Sequence, residues 1–572
     1  MPFLATIFST GLLALALPNE IAPYGIAFLG FVCLVPYFNA LAHCRSYRDA
    51  ALLGAVFGAL SHAATSYWLV YFQDFAIWTI GATSVAYGLL HAILAVFLRR
   101  FTLSPRIHPK NAGHPLLAET NPLRSFLIAA VWTVWEWQKS IGFLGYPWGL
   151  VAYAVNGVSP LIQIADSMGV YGLTFLLALA NALISEAILF RKDTLFSFST
   201  VRIGAAGYGF IFLGTLSVWF LVYGAWVLAH PTPIVDRVPI VLVQHNGDSW
   251  ETGGEVQALK ICQDLSREGK ARMVKGDFEL PGSVTPGAGD TAGMKPALVV
   301  WSETVLRRPF EDYRPFFRKS PPKDPFIPFL SELGAPLLTG APVILDWERY
   351  DATNSALLIS SRAEVMGSYA KSHPVPFAEA IPFWEYKWMR DFMKDVVGLE
   401  GGWVVGTDAT VMEIKTPSGR PLRFGVPICF EDAFAGVCAD FYRNGADILI
   451  NLTNDSWSKT VSSETQHFVA SRFRAVENRR VLVRSTNGGV TSVVDAEGRM
   501  IASLPLFTEA SLPVLVPIQI PLAPTTYFLL GDWFPALMGA LVLAFLLYDG
   551  AAGVRGRFRQ NRKSRDGLKQ PE

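Results

Sequence analysis

Eight long apolar runs constrain this chain more than any other feature of its sequence. They lie at residues 3–18, 22–43, 51–73, 77–98, 124–140, 168–190, 206–229 and 527–549. A helix that crosses the hydrocarbon core of a bilayer needs about 20 apolar residues. Only 17% of the chain is charged, whereas an average soluble protein carries about 25%. The sequence therefore predicts a polytopic α-helical membrane domain of about eight spans.

Basic residues in every second loop predict how these spans are oriented. They are Arg45 and Arg48 after the second run, Arg99, Arg100, Arg106 and Lys110 after the fourth, and Arg191, Lys192 and Arg202 after the sixth. The loops PNEIAP and QDF carry none, and the tail 550–572 is densely basic. Because Lys and Arg of short loops stay in the cytoplasm, both termini are expected inside and the region before the last run outside. In a bacterium this is the inner (cytoplasmic) membrane, with the extramembrane domain on the periplasmic side.

The basic tail has an alternative interpretation, as a segment that binds nucleic acid or a partner protein. The charge alternation along the whole chain already accounts for the tail. The net charge of +1 also predicts no nucleic-acid partner.

Residues 235–525 have the pattern of a separate α/β domain, placed between a membrane domain at 1–230 and a last span at 527–549. Short β-branched stretches such as VPIVLVQHN and ADILINLTND alternate with helical stretches such as EVQALKICQDLSREGKARM. Such strands are bounded by turn residues, and the helices between them cover the faces of a sheet. An α/β sandwich is the expected class for this domain.

Three polar residues directly follow predicted strands of this domain. Glu303 follows ALVVWS, Lys371 follows GSYA and Cys429 follows RFGVPI. Catalytic groups of α/β sheets collect beyond the carboxyl ends of strands. A carboxylate can accept the thiol proton, and an ammonium can stabilise both the thiolate and a tetrahedral oxyanion. These groups are the minimum for acyl transfer through a thioester. A helix expected directly after Cys429 would add its positive dipole end.

The cysteines also allow a purely structural interpretation. A lone buried cysteine is usually a small core residue. Cys438 fits this description, because Phe434, Val437, Cys438 and Phe441 share one helical face. The residues alone leave Cys429 open between nucleophile and core residue. No HExxH or CxxC spacing supports a metal site.

Three segments present the polar residues in a fixed order. VVWSET holds Glu303. KSHPVPFAEAIPF holds Lys371 and, eight residues on, Glu379. VPICFED holds Cys429 and Glu431, and ILINLTNDSW, QHFVASRFRAVENRR and VRSTNGGVTSVVDAEGR follow. The ordered set resembles the nitrilase superfamily and, within it, the membrane branch formed by the apolipoprotein N-acyltransferases. The resemblance covers essentially the whole chain.

This resemblance implies an α-β-β-α sandwich with a catalytic triad of Glu303, Lys371 and Cys429. It also implies a ping-pong reaction without cofactor or metal. A phospholipid would give an acyl chain to Cys429 as a thioester. The α-amino group of the diacylglyceryl cysteine of an apolipoprotein would then take the chain as an amide, the last step of lipoprotein maturation. Extracting lipid substrates from the bilayer would cost about 0.8 kcal/mol per CH₂, and a membrane anchor avoids this cost.

Two acids receive supporting roles from the same resemblance. Glu379 is expected to orient Lys371 and to balance its charge. Glu431 is expected in the same polar cluster, although an acid at a helix start, stabilised by the helix dipole, is the alternative.

Aromatic residues outside the triad suggest where lipid reaches the site. Trp148 in GYPWGLVAY, and Phe383 and Trp384 in the segment after Glu379, are expected to border the access route near the bilayer. Their alternative role is to pack the domain onto the membrane. Glu136, inside the fifth run, is either functional or an acid that snorkels to the interface.

The sequence departs from the family pattern around the triad. The departures are Ala378, Ala380, Phe430, Ser458-Lys459 and an insert at 275–296. They leave the preferred acyl chain and headgroup open, and the sequence does not indicate an oligomeric state.

Two other functions share parts of this pattern. A membrane-anchored nitrilase-type amidase or hydrolase would use water as the second acceptor. A non-catalytic lipoprotein-binding protein would need no complete triad, whereas all three positions here carry the right chemistry. Acyl transfer is therefore the predicted function.

Overall fold

The computed structural model describes most of the chain. The described residues are 1–72, 77–102, 123–189, 196–197, 202–203, 205–247, 254–279, 293–313, 325–349, 351–381, 383–384, 386–397 and 402–567. The loop QDF, the basic residues Arg106, Lys110, Arg191 and Lys192, most of the insert 275–296 and the end of the tail lie outside them.

Each of the eight apolar runs contains helix. The helices are Pro2–Ala16, Ala27–Gly30 with Val35–Ala42, Tyr47–Thr65, Thr83–Thr102, Leu123–Gln138, Val170–Leu189, Ala205–Ala229 and Trp533–Gly567. Among the described residues, four helical segments are long and apolar enough to cross a membrane: Trp78–Thr102, Val170–Leu189, Gly207–Ala229 and Trp533–Ala551. The second run differs from the prediction, because its helix is broken between Gly30 and Val35.

Small residues let the membrane helices pack closely. A Cβ added at Gly54 of helix Tyr47–Thr65 would lie 2.3 Å from the carbonyl oxygen of His91 on helix Thr83–Thr102. A Cβ added at Gly58, one turn later, would lie 2.4 Å from the carbonyl oxygen of Tyr87. Close backbone approach of this kind stabilises helix pairs where the hydrophobic effect cannot.

The extramembrane domain is built on two six-stranded sheets. After a short hairpin, β1 (Phe196–Ser197) and β2 (Arg202–Ile203), the strands are β3 (Ile234–Gln244), β4 (Leu298–Val300), β5 (Leu337–Asp346), β6 (Asp351–Ile359), β7 (Val365–Ala370), β8 (Val411–Lys415), β9 (Pro421–Gly425), β10 (Ile448–Thr453), β11 (Leu482–Thr486), β12 (Ser492–Val494), β13 (Met500–Ser503) and β14 (Ala510–Gln519). One sheet has the order β14-β3-β4-β5-β6-β7 and the other β13-β12-β11-β10-β9-β8.

Alternating side chains of the first sheet fill two separate cores. Ile240 and Leu242 of β3 belong to the core between the two sheets. Val241 and Val243 belong to the core under helices Glu255–Lys275 and Phe326–Leu333. The outer face of the second sheet is covered by helices Ala435–Arg443 and Val461–Asn478. The result is the α-β-β-α layering that was expected, because successive strand residues point to opposite faces.

Buried polar contacts fix this domain onto the membrane helices. The guanidinium of Arg479 lies 2.6 Å from the carboxylate of Asp166. The amide of Gln466 donates to the carbonyl oxygens of Pro18 and Thr65, at 2.9 Å each. The two parts of the chain therefore share an extensive junction.

Candidate active site

The strand topology brings Glu303 and Lys371 together. Glu303 lies just beyond β4, and Lys371 directly follows β7. The strands β5, β6 and β7 are antiparallel in turn and β4 is parallel to β5, so β4 and β7 end at the same edge of the sheet. Lys371 Nζ lies 3.5 Å from Glu303 Oε1, with both side chains almost completely buried.

Glu379 is a second carboxylate partner of Lys371. Its Oε2 lies 2.8 Å from Lys371 Nζ. The loop between the two residues turns back through Phe377, whose φ of 64° is left-handed. The backbone N–H of Val375 donates to Glu379 Oε2 at 2.7 Å. One ammonium is thus held between two carboxylates.

Asn354 joins these two carboxylates and was not predicted from the sequence. Its Nδ2 donates to Oε1 of Glu303 and to Oε1 of Glu379, at 2.9 Å each. Its backbone oxygen accepts from the N–H of Lys371 at 2.8 Å. The only signal was an amide side chain in the polar first half of β6, DATNS, ahead of the apolar stretch ALLI.

Cys429 occupies a strained turn after β9. Its φ is 53°, a conformation that costs a non-glycine residue about 1–3 kcal/mol. The side-chain amide of Asn451 on β10 donates to the Cys429 carbonyl oxygen at 2.9 Å and so supports the turn. The expected helix does not start at Cys429. A 3₁₀ turn spans Cys429–Ala433, and the α-helix begins at Ala435.

Glu431 ties the cysteine turn to the lysine loop. It accepts hydrogen bonds from the backbone N–H groups of Ile428 at 2.7 Å and of Ser372 and His373 at 2.8 Å each. The hydroxyl of Tyr369 donates to it as well. Burial raises the pKa of Glu431 to about 6, against the lowering effect of these donors. Glu431 therefore lies in the first turn of the 3₁₀ helix Cys429–Ala433, as the alternative expected, and it also organises backbone from both segments.

The electrostatics of the triad favour a neutral resting thiol. Burial, and then the carboxylate of Glu303, raise the pKa of the Cys429 thiol well above its usual range, while Lys371 works in the opposite direction. Burial also raises the pKa of Glu303, and Lys371 lowers it. Burial alone would lower the pKa of Lys371, but Glu379 and Glu303 raise it overall, so the ammonium stays charged. The thiol must therefore lose its proton to a base during the reaction.

A second buried charge cluster lies behind the cysteine turn and was not predicted. Nε2 of His467 contacts Asp432 and its Nδ1 contacts Asp455, at 2.9 Å each. The guanidinium of Arg484 also contacts Asp432. Burial works to lower the pKa of His467, but Asp455 and Asp432 raise it to about 9. Because a neutral imidazole carries a single N–H, contact with two carboxylates fits the protonated ring.

The predicted access residues lie in different environments. Trp148 is buried, and its ring centre lies 5.6 Å from that of His467 and 6.2 Å from that of Phe430. Phe383 is 59% exposed, and Trp384 is partly exposed. Trp148 thus packs beneath the cysteine turn, whereas the other two lie at the surface.

Glu136 is a buried part of the membrane domain and does not snorkel. It accepts from Trp132 Nε1 at 3.0 Å, from the N–H of Val151 at 2.9 Å and from the Thr174 hydroxyl at 2.7 Å. One turn later, Lys139 Nζ donates to the carbonyl oxygen of Trp148 at 2.9 Å. These contacts hold the loop that carries Trp148.

The assembly has the groups needed to form and resolve an acyl-thioester. A carboxylate and an ammonium lie at one edge of the first sheet, and the thiol lies nearby on the turn after β9 of the second sheet. Buried residues fix the backbone of each. Within this geometry a proton can leave sulfur for a carboxylate while the ammonium stabilises negative charge.

Comparison with protein families places these features in a known class. Residues 335–523 match the carbon-nitrogen hydrolase family. Residues 9–183 match the apolipoprotein N-acyltransferase N-terminal domain. The chain therefore combines a nitrilase-like α/β domain with a membrane domain.

Full-length relatives define the particular family. The apolipoprotein N-acyltransferase 2 of Treponema denticola is 36% identical over 562 residues, covering 98% of this chain and 99% of that protein. The apolipoprotein N-acyltransferase 2 of Treponema pallidum is 35% identical, covering 98% and 96%. The apolipoprotein N-acyltransferase of Borreliella burgdorferi is 31% identical, covering 95% and 94%. The chain belongs to the apolipoprotein N-acyltransferase family and is a membrane protein.

Proposed function

We propose that this enzyme moves an acyl chain from a phospholipid to the N-terminal amine of a diacylglyceryl apolipoprotein, through a thioester on Cys429. As a member of its family it is an N-acyltransferase. The observation that carries the proposal is the contact of Lys371 with both Glu303 and Glu379, close enough to the turn after β9 that Glu303 and Lys371 both act on the pKa of the Cys429 thiol.

In the first half-reaction, Glu303 is the base that takes the proton of the Cys429 thiol. The thiolate attacks an ester carbonyl of the phospholipid, and the ammonium of Lys371 stabilises the tetrahedral oxyanion. The C–O bond then breaks. The departing lysophospholipid oxygen takes the proton back from Glu303, and the acyl chain stays on sulfur.

In the second half-reaction, the unprotonated α-amine of the acceptor attacks the thioester carbonyl. The C–N bond forms as the C–S bond breaks. Glu303 takes a proton from the nitrogen and returns it to the Cys429 sulfur. Amide formation makes this step favourable, because the thioester stores more acyl reactivity than the amide.

Two further acids support the triad in this proposal. Glu379 orients Lys371 and balances its charge, and its hydrogen bond from Val375 fixes the lysine loop. Glu431 holds the lysine loop and the cysteine turn together, because its carboxylate accepts hydrogen bonds from the backbone N–H groups of Ser372 and Ile428. Both act by positioning other groups.

We propose eight membrane spans with both termini in the cytoplasm, in the inner membrane of a bacterium. The domains are a membrane domain at 1–230, a catalytic domain at 235–525 on the periplasmic side, a last span at 527–549 and a cytoplasmic tail at 550–572. The alternating loop charges support this arrangement.

Two surfaces are assigned to lipid access. Phe383 and Trp384 border the route from the outer leaflet, which their exposure supports. Trp148 forms the floor of the route, since it packs against Phe430, the neighbour of Cys429.

One acylation experiment tests the chemistry. The purified protein is incubated in detergent with phospholipid, and intact-protein mass spectrometry follows its mass. An adduct of one acyl chain, removed by neutral hydroxylamine, is expected. Addition of a diacylglyceryl peptide should discharge it as an amide-linked product. Release of free fatty acid instead would identify a hydrolase, and no adduct at all would reject the thioester.

Cysteine labelling tests the topology. Lys415→Cys introduces a thiol on the exposed edge strand β8, and Ser564→Cys introduces one in the tail. A membrane-impermeant maleimide added to spheroplasts should label the first and not the second. The reverse pattern would contradict the orientation.

A further inference from the structure

A cavity of about 430 Å³ lies beside the triad, at the junction of the catalytic and membrane domains. Its catalytic wall includes Ser372 and His373, which follow Lys371, and Phe434. Its membrane wall includes Tyr171. The rings of His373 and Phe434, with centres 4.0 Å apart, both contact Phe430 beside the nucleophile. The cavity is therefore a chamber next to the cysteine turn, and the ring of Phe430 packs against its wall.

The start of helix Ala435–Arg443 lines this chamber. Ala435, Gly436 and Val437, the first helical residues, are all part of its wall. The N-cap position is Phe434, which provides no side-chain hydrogen bond to the helix. The first turn of a helix presents unsatisfied N–H groups and a partial positive charge. The wall therefore carries backbone donors that suit an anion.

The environment of Arg474 is a second and independent observation that indicates an anion site. It lines the same chamber and is only 3% exposed. Two of its nitrogens donate to the carbonyl oxygen of Ala433 and to Glu477, but its Nε is buried without a hydrogen-bond partner in the described part of the chain. A buried N–H that lacks a partner costs about 1–3 kcal/mol, and a ligand oxygen would satisfy it.

We propose that this chamber binds the phosphodiester of the donor phospholipid, between Arg474 and the first turn of helix Ala435–Arg443. The inference rests on the proposed function and adds the part of the donor that the enzyme recognises. In a phospholipid the glycerol holds the phosphate close to the ester carbonyl. The chamber is correspondingly close to the cysteine turn, since His373 and Phe434 line the chamber and also contact Phe430. His373 contributes a further donor, since its buried Nε2 has no hydrogen-bond partner within the described residues.

The acids near the chamber are already engaged. Asp532 lines the wall, but it accepts from the Tyr527 hydroxyl at 2.6 Å and from Trp137 Nε1 at 3.0 Å. Glu477 accepts from the Arg474 guanidinium at 2.9 Å. The buried side-chain groups of this wall that have no hydrogen-bond partner within the described residues are thus both ring or guanidinium nitrogens, Nε of Arg474 and Nε2 of His373.

A charge placed at the helix start tests the site without loss of the fold. A Cβ at Gly436 would meet nothing within 4 Å, and an acid in the first helical turn is stabilised by the helix dipole. Gly436→Asp should therefore fold and repel a phosphate, and Gly436→Asn is the matched neutral control. Thioester formation is measured with phosphatidylglycerol and with diacylglycerol of the same chains, both of which offer the ester but only one the phosphate.

The expected result is selective loss of the phosphorylated donor. Gly436→Asp should be acylated by phosphatidylglycerol about tenfold or more slowly than Gly436→Asn. With diacylglycerol as donor, the two variants should be acylated at the same rate. Arg474→Gln should reduce the ratio of the two donor rates about 10- to 100-fold, the range for a hydrogen bond to a charged group. Variants that slow both donors equally would overturn the site. A wild-type protein that takes no acyl chain from phosphatidylglycerol would instead reject the proposed function.

Inorganic phosphate distinguishes a headgroup site from a site for the free anion. Millimolar phosphate should leave diacylglycerol-dependent acylation of the wild-type protein unchanged, because a headgroup is held by its lipid as well as by its charge. Inhibition that disappears in Gly436→Asp would mean that the chamber binds free phosphate, and would overturn the headgroup assignment.

Discussion

Replacement of Asn354 by leucine should move the pH dependence of thioester formation. The change keeps a similar volume but removes Nδ2, the donor shared by Glu303 and Glu379 at 2.9 Å each. Asn354 is only 5% exposed, so water cannot readily replace it. The hydrogen bond from Asn354 lowers the pKa of Glu303, and its loss therefore raises that pKa.

The size of the effect follows from the strength of the bond. A hydrogen bond to a charged group contributes about 1.5–3 kcal/mol, and one pKa unit corresponds to about 1.4 kcal/mol. The pKa of Glu303 should thus rise by about one to two units. A base with a higher pKa is protonated over more of the neutral range. The acid limb of the acylation rate should therefore shift to higher pH by the same amount, with a rate about 10- to 100-fold lower below the limb.

Single-turnover acylation by phospholipid, followed by intact-protein mass spectrometry across the acid and alkaline ranges, measures this shift. Thr353→Val is the matched control, because neighbouring residues of a strand point to opposite faces and Thr353 contacts Ser355 rather than the carboxylates. Its profile should match that of the wild-type protein. An Asn354→Leu protein that folds and keeps both the wild-type limb and the wild-type rate would refute the role given to Asn354 and the assignment of Glu303 as base.

Other substitutions probe the nucleophile, its support and the access route. Cys429→Ala should carry no acyl chain, whereas Cys438→Ala should still acylate, since Cys438 is fully buried in a packed helix face; acylated Cys429→Ala in the mass spectrum would reject the nucleophile. Glu431→Gln should lower acylation about 100-fold, because an amide cannot accept from all the N–H groups of two segments at once; wild-type rates would show that this contact does not position the site. Charged substitutions at Phe383 and Trp384 should slow acylation in lipid vesicles without lowering the melting temperature, and unchanged rates would exclude both residues from the access route.

The sequence was sufficient to predict the layers of the catalytic domain and the cluster of Glu303 and Lys371. Strand-forming stretches that are followed by turn residues predict where the carboxyl ends of strands lie. Glu303 and Lys371 lie at such ends. The burial of Cys438 was predicted as well, because a helical face is a local property with a period of 3.6 residues. A local pattern of this kind predicts burial correctly when another element of the fold packs against the apolar face.

Other features depended on contacts between distant parts of the chain. β14 pairs with β3 across more than 250 residues, and no local pattern encodes that partner. Asn354 meets the acids because β6 and β7 align its carbonyl oxygen with the N–H of Lys371. The pKa of His467 rises against the effect of burial because of Asp455 and Asp432, which only the packing of distant segments brings within 2.9 Å of its ring.

The sequence by itself determined the apolar runs, the side-chain types of the proposed triad and the order of the motifs, since hydrophobicity and side-chain type are properties of single residues and short windows. The tertiary structure decided where the helix after Cys429 begins and that its first turn lines the neighbouring chamber. The α-helix expected at Cys429 begins at Ala435 and presents its first turn to the chamber instead. The physical reason is that Glu431 accepts N–H groups from two separate segments, and this long-range bond, with the amide of Asn451 on the Cys429 carbonyl, holds the chain in a tight turn before a helix can start.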